Sequence, residues 1–331
     1  MSAYQRKPPP FLARCAMGLF IDGFLRPFIQ VMAKLGRADR VFEHMGQRRK
    51  KQLARQNPFA GYVPTERDVF VAVYVKSGTN WTMQIAHQLL NHGKGEYAHI
   101  HEVIPWPDQP MGPLRNYAIP LEDQSVWRAS PEGKRVIKTH LHWEDLPYSG
   151  NARYICVIRD PKDVFVSSYH FFGSLLPLPS LDLWIKLFCS ENMLFGSWAT
   201  CAAGYWAQRH QPNVLLLSFK SMKRDLPGTV RKIADFLGLR ADEDIIRRVV
   251  ERSTFEYMKK IDYKFEVWKM IPWRSKVPLI RKGTQGGSSE LLSPEQQREM
   301  DAYFLSELKR LGSDLPYEEF ADVTLPLAAA Q

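Results

Sequence analysis

The sequence is poor in cysteine, and none of its cysteines is paired by spacing. Cys15, Cys156, Cys189 and Cys201 are the only four in 331 residues, and no C-x-x-C run occurs. A disulfide framework or a zinc ribbon is therefore excluded as the organising element. Cys156 lies in the apolar run 154–158 and reads as a free buried thiol in a reducing compartment. Internal repeats and low-complexity tracts are absent, which argues against a solenoid. Acidic residues are in deficit, 35 against 45 Lys and Arg, giving a formal net charge of +10. That balance favours anionic partners, without choosing among nucleic acid, a phosphorylated ligand and an acidic membrane surface. An uninterrupted apolar span is also missing. The most apolar N-terminal stretch, residues 11–35, is broken by Arg14, Asp22, Arg26 and Lys34, and no small-residue cleavage site follows it. This reads as neither a transmembrane span nor a secretory signal, and gives a cytoplasmic expectation.

What is present suits a globular enzyme. A hydrophobic share of 45% in a chain of this length is enough for the core of one large α/β domain. Arg14, Asp22, Arg26, Gln30 and Lys34 recur at multiples of four. Leu12, Leu19, Phe24, Phe28, Val31 and Leu35 fall largely off that stripe. The spacing predicts an amphipathic helix over 11–37, kinked at Pro27. It either packs on the domain or rests on a membrane and shapes a lipophilic site. The basic run Arg48, Arg49, Lys50, Lys51 and Arg55 reads as solvated charge.

Strands are expected at 68–75, 135–138, 153–158 and 213–218, where β-branched and aromatic residues concentrate. Helices are expected at 81–90, 162–171, 181–187, 197–210, 229–237, 243–252 and 294–311. Alternation of the two argues for a central parallel sheet flanked by helices, with ligands outside the carboxyl ends of the strands. The expected organisation is a helical extension over 1–62, a single α/β domain over 63–320 and a tail over 321–331.

Two anion sites stand out. Lys76-Ser77-Gly78-Thr79-Asn80-Trp81 lies where a strand becomes a helix. Unpaired N–H groups at the helix start, the two hydroxyls and the Lys76 charge form an anion cradle, and Gly78 permits close backbone approach. The order is not that of a Walker A loop, because Lys-Ser precedes the glycine. Arg159 sits at a second strand end, ahead of Asp160-Pro161-Lys162-Asp163, with Ser167 two turns into the next helix. An Arg fork and a hydroxyl suit a phosphate monoester. An Arg159–Asp163 structural ion pair fits the same spacing.

These stretches resemble the 5′-phosphosulfate loop and the 3′-phosphate motif of cytosolic-type sulfotransferases that use 3′-phosphoadenosine 5′-phosphosulfate (PAPS). Arg281-Lys282-Gly283 resembles their cofactor loop, and Lys138-Thr139-His140-Leu141 the strand end bearing their catalytic histidine. The resemblance implies a P-loop-like fold and metal-independent transfer of a sulfuryl group to a hydroxyl or amine of a small acceptor, not a nucleic acid. It implies His140 as general base, with Lys76 and Lys138 neutralising developing charge. It places Lys76 to Trp81 on the 5′ side, and Arg159, Ser167, Arg281, Lys282 and Gly283 at the 3′-phosphate. Trp81, Ser253 and Phe255 fall near the adenine, as does Phe219, where many members carry a tyrosine.

Other departures are Asn80 in place of a second Thr, and Thr284 to Ser289 in place of an acidic-aromatic-basic run. The family's short dimer motif is not recognisable, so no oligomeric mode follows. His99, His101 and Trp106 are candidate acceptor-pocket residues by the same resemblance. His99 and His101 would share one strand face, but no further ligand completes a metal site there. A P-loop kinase is disfavoured by the missing Walker order. A non-enzymatic membrane- or polyanion-binding protein would rely on the N-terminal helix and basic run.

Overall fold

The structure, a computed structural model, describes residues 10–109, 118–266, 271–273, 278–283 and 286–323. The tail expected over 321–331 lies outside them beyond Val323, as do Thr284 and Gln285.

Four short strands form the centre. β1 (Asp68–Val73), β2 (Arg135–Thr139), β3 (Arg153–Ile158) and β4 (Val214–Ser218) pair in the order β2-β1-β3-β4, all parallel. The expected strands match these to within two residues. Side chains alternate between faces along each strand. Phe70, Ala72, Tyr154, Cys156 and Ile158 enter one apolar cluster, while Val69, Val71, Val73, Ile155 and Val157 enter the other. Phe70 and Tyr154, paired in register, stack at 5.0 Å. Both faces are covered by helices, which explains why β1 is buried along its whole length.

Two long helices open the chain: α1 (Phe11–Lys34) and α2 (Ala38–Arg55). Five helices dress the sheet: α3 (Thr79–Leu90), α4 (Pro161–Leu175), α5 (Leu181–Phe188), α6 (Trp198–Ala207) and α7 (Leu226–Leu237). α8 (Glu243–Glu251) and α9 (Pro294–Arg310) follow. The α4 start shows how sequence sets its position. Asp160 caps it by accepting the Lys162 N–H at 2.8 Å, and Pro161 occupies the first turn, where no N–H is needed.

One local feature was not expected, and one expectation is corrected. The N-terminal helix runs on through Pro27. A π-turn over Ile21–Leu25 precedes it and relieves the clash that the proline ring and missing N–H would create, so the helix continues to Lys34. His99 and His101 are not on a strand. Ile100–Glu102 is a 3-10 turn, because the His99 ring accepts the His101 N–H at 3.1 Å while Glu102 accepts the His99 N–H at 3.2 Å.

A buried charge group locks α4 to the end of the chain. Lys162 Nζ donates to Asp301 of α9 and lies 3.9 Å from Asp160, and Tyr317 donates its hydroxyl to Asp301 at 2.7 Å. Removing one partner strands the other charge in the core. Asp301→Ala is expected to lower unfolding free energy by about 3–5 kcal/mol in urea titration, and Lys162→Met/Asp301→Leu to recover most of that loss.

Candidate active site

Three strand ends converge. β1 runs into Lys76, β2 into His140 and β3 into Arg159. Lys76 itself adopts φ 64°, a left-handed conformation unusual for a side-chain-bearing residue, and Gly78 follows at φ 100°. A Cβ on Gly78 would come within 2.8 Å of the Phe219 ring. The turn thus reverses the chain tightly and starts α3 with its N–H groups facing the crevice. Ser77 Oγ and Thr79 Oγ1 are buried there without a hydrogen-bond partner. Buried hydroxyls are almost always paired, so this pair marks a place for an external polar group.

His140 has a fixed tautomer. Its Nδ1 lies 2.6 Å from the Val73 carbonyl, which can only accept, so Nδ1 carries the proton and Nε2 the lone pair. Its backbone N–H donates to Asp108 Oδ2 at 2.9 Å. Trp106 and Phe195 meet the ring edge-on at 5.6 and 5.3 Å. Burial, then the Lys138 charge, holds the imidazole well below its ordinary range, so it is neutral near pH 7.

Two lysines share this pocket. Lys138 Nζ stands 3.4 Å from the Trp106 ring centre, and Lys76 Nζ 4.6 Å from that of Phe171. Burial is the main cause that lowers both, Lys138 to about 7 and Lys76 to about 8; the Lys76 charge adds to it at Lys138, and the Arg159 and Arg281 charges add to it at Lys76.

Residues of the second expected anion site also come together. Arg159 donates to the Lys76 carbonyl at 3.0 Å, lies over the Phe219 ring at 4.5 Å and approaches Asp163 at 3.4 Å. The ion pair considered from the sequence is therefore real, and it does not remove the arginine from the crevice. Asp163 also accepts the Gly286 and Gly287 N–H groups at 3.3 and 2.9 Å. This fastens the loop after Gly283 to α4. Arg281 and Lys282 both pair with Glu290, at 2.7 and 3.0 Å, and that contact holds the Glu290 carboxyl down at about 2. Ser167 is half-buried two turns along α4.

Among the residues expected near the adenine, Trp81 donates its indole N–H to the Ser253 carbonyl at 2.7 Å and meets Phe219 edge-on at 5.7 Å. Ser253 Oγ is another buried hydroxyl without a partner. Phe255 packs so closely on Gly283 that a Cβ there would sit 2.2 Å from its ring. Asn80 lies half-buried on the first turn of α3.

Of the expected acceptor residues, His101 stacks on Trp106 at 5.4 Å, and Trp106 in turn meets the His140 ring. The His99 ring is engaged in the turn and with the Glu266 carbonyl at 2.9 Å. Among the described residues, no group of three or more metal-ligating side chains occurs.

A family model described as Sulfotransferase domain matches residues 66–312. The chain belongs to the sulfotransferase family. Sulfotransferase 2A1 of Macaca fascicularis is 30% identical over 269 residues, spanning 78% of this chain and 89% of that protein. Sulfotransferase 2A1 of Rattus norvegicus is 32% identical, over 75% and 87%. Among solved structures, retinol dehydratase in complex with androsterone and inactive cofactor PAP aligns with TM-score 0.65 at 26% identity. It covers 77% of this chain and 84% of that one. Mouse sulfotransferase SULT7A1 complexed with PAP gives 0.61 at 23% identity, over 80% and 93%, and so speaks for the fold alone.

One contributor to this sulfotransferase site was misread in the sequence. Arg49 is not part of a solvated run. Its side chain is 10% exposed, donates to the Asp108 carbonyl at 2.9 Å and covers the Phe195 ring at 5.0 Å. The signal was present: Phe42, Gly46, Arg49 and Leu53 follow helical spacing on the face of α2 that packs inward. Asp108 had no signal of its own.

Burial pushes the Asp108 carboxyl up, and Arg49 opposes this. In Arg49→Met the native state therefore holds a proton on Asp108 to higher pH than the unfolded chain does. Stability should then fall as pH rises. We expect a loss of about 3 kcal/mol at pH 8, a smaller loss at pH 5, and recovery in Arg49→Met/Asp108→Asn, all measured by urea unfolding.

Proposed function

We propose that this sulfotransferase moves a sulfuryl group from PAPS to a hydroxyl, or an amine, of a small lipophilic acceptor by in-line transfer. His140 is the general base. The carrying observation is the His140–Val73 bond, which keeps a neutral imidazole with Nε2 as its basic nitrogen beside two desolvated lysines.

The residues present fit such a donor. Orphaned hydroxyls at Ser77, Thr79 and Ser253, and a glycine turn that a Cβ would fill, are features of a site built around a bound phosphate ester. Ser77, Thr79 and the α3 N–H groups would hold the 5′ end. Arg159, Ser167, Arg281 and Lys282 would hold the 3′-phosphate, the last two exchanging Glu290 for it. Trp81, Phe219 and Phe255 would flank the base. Phe219 offers no hydrogen bond there, so the ring contributes only its surface. When bound, the donor supplies an activated sulfuryl group and a bisphosphate leaving group.

His140 takes the proton from the acceptor heteroatom as the new bond forms. Lys138 and Lys76 neutralise charge on the departing oxygens. Trp106, His101, Phe195 and Phe172 form the aromatic wall that keeps water from the base. That lining supports an apolar acceptor, and the structures of retinol dehydratase with retinol and with androsterone support the same reading. The same reading includes a cytoplasmic location with peripheral contact of residues 11–37 with a lipid surface.

His140→Ala is expected to lower turnover at least a thousandfold in a metal-free assay with PAPS and a panel of phenols and sterols. Bisphosphate affinity should stay within about threefold; near-normal turnover would overturn the assignment. The lysines give a second test. In the free protein Lys138 and Lys76 lose their protons as pH passes about 7 and about 8. An anion favours their charged forms, so bisphosphate binding at pH 8 should take up protons and weaken toward pH 9. Calorimetry in buffers of different ionisation enthalpy reads the uptake, which Lys138→Met should reduce.

A further inference from the structure

α1 is apolar on two sides, and among the described residues only one of them is covered. Its inner side is committed to the protein. Ile29 is buried, Leu25 and Met32 pack on the core, and Trp273 bonds Asp22 at 2.8 Å and crowds Gly18 so closely that a Cβ would meet its ring at 2.5 Å. The outer side carries Leu12, Leu19, Phe20, Phe24, Phe28 and Val31, between 43% and 80% exposed. The Phe20, Phe24 and Phe28 rings stack in a row along it, at 5.6 and 6.2 Å. A helix of 24 residues is about 36 Å long, so this is a continuous apolar strip well beyond the scattered exposed side chains of a soluble surface. By length and composition alone the helix could cross a membrane, despite its four charges.

Charge says what covers the strip. Among residues 10–56 the three acidic side chains are buried or half-buried: Asp22 faces Trp273 and Arg26, Asp39 pairs with Lys186 of α5, and Glu43 is half-buried. Seven cations in that segment are exposed. Lys34, Arg37 and Arg40 cluster at the turn joining α1 to α2, and Arg48, Lys50, Lys51 and Arg55 follow along α2. A second copy of this chain would bring the same cations to the contact, whereas an anionic bilayer would complement them.

We propose that α1 lies in the plane of an anionic membrane interface, its Phe20–Phe24–Phe28 edge in the acyl boundary and the α1–α2 cations against lipid phosphates. The clamp on Gly18 and Asp22 fixes the inner side to the domain, so the helix lies on the membrane and does not span it. The proposal deepens the reading of residues 11–37 as a lipid contact.

The test is flotation of the full chain with phosphatidylcholine vesicles and with vesicles containing 30% phosphatidylserine, at two ionic strengths. The expected result is binding to the anionic vesicles that weakens with salt. It should fall at least tenfold in Phe20→Ser/Phe24→Ser/Phe28→Ser and lose its lipid-charge dependence in Lys50→Glu/Lys51→Glu/Arg55→Glu. Both variants alter exposed residues and should keep bisphosphate binding, which confirms folding. Wild-type protein that stays unbound, or binding unchanged in the phenylalanine variant, overturns the proposal. So does concentration-dependent dimerisation without vesicle binding, which would assign the strip to a second copy. If instead vesicle binding persists while PAPS turnover is absent with every acceptor, the transfer reading fails and the membrane seat stands.

Discussion

Positive charge held out of water is the constraint around which this molecule is arranged. Lys76, Lys138, Arg159 and Arg49 are all driven toward their neutral forms by burial, and few carboxylates sit among them to compensate. Asp108 and Asp163 each serve two masters: one faces Arg49 and the His140 backbone, the other Arg159 and the 286–287 backbone. A pocket with that imbalance is costly to fold and strongly attractive to a polyanion, which is what a nucleotide-binding site requires. Glu290, paired with Arg281 and Lys282, supplies part of the missing negative charge.

The scaffold makes the imbalance tolerable. Parallel strands end together, and their ends are where unpaired backbone and charged side chains can collect without breaking the sheet. Both faces of the sheet are filled by alternating apolar residues, so the strands are rigid platforms. The helices that cover them are fixed by specific devices, such as the Asp160 cap and the Lys162–Asp301–Tyr317 group.

Much of this was legible in the sequence, for a physical reason. Strand, tight turn and helix follow one another within a few residues at Lys76 and at Arg159, so local chemistry and local structure coincide there. The partners that tune those residues come from far along the chain. Asp108 lies 59 residues from Arg49 and 32 from the His140 backbone it holds, in a stretch with no periodic signal. Glu290 reaches Arg281 through a loop whose shape composition does not encode. Arg49 shows a different failure: a run of five cations reads as one solvated group, although helical spacing sends one of them inward. At His99 and His101, alternation suggested a strand, but short-range capping bonds favoured a turn.

The bond from His140 to the Val73 carbonyl has a mechanical meaning. Val73 closes β1, three residues before Lys76, while His140 follows the last residue of β2. The bond extends the pairing of the two strands past the end of their ladder, through a side chain. The imidazole and the Lys76 loop are therefore anchored to one strand. If β1 slides or twists against β2, the ring is carried with the loop, so the distance between them is conserved by the sheet's own connectivity. The spacing of the His140 ring and the Lys76 loop then depends on the stiffness of a single strand, buried along its whole length.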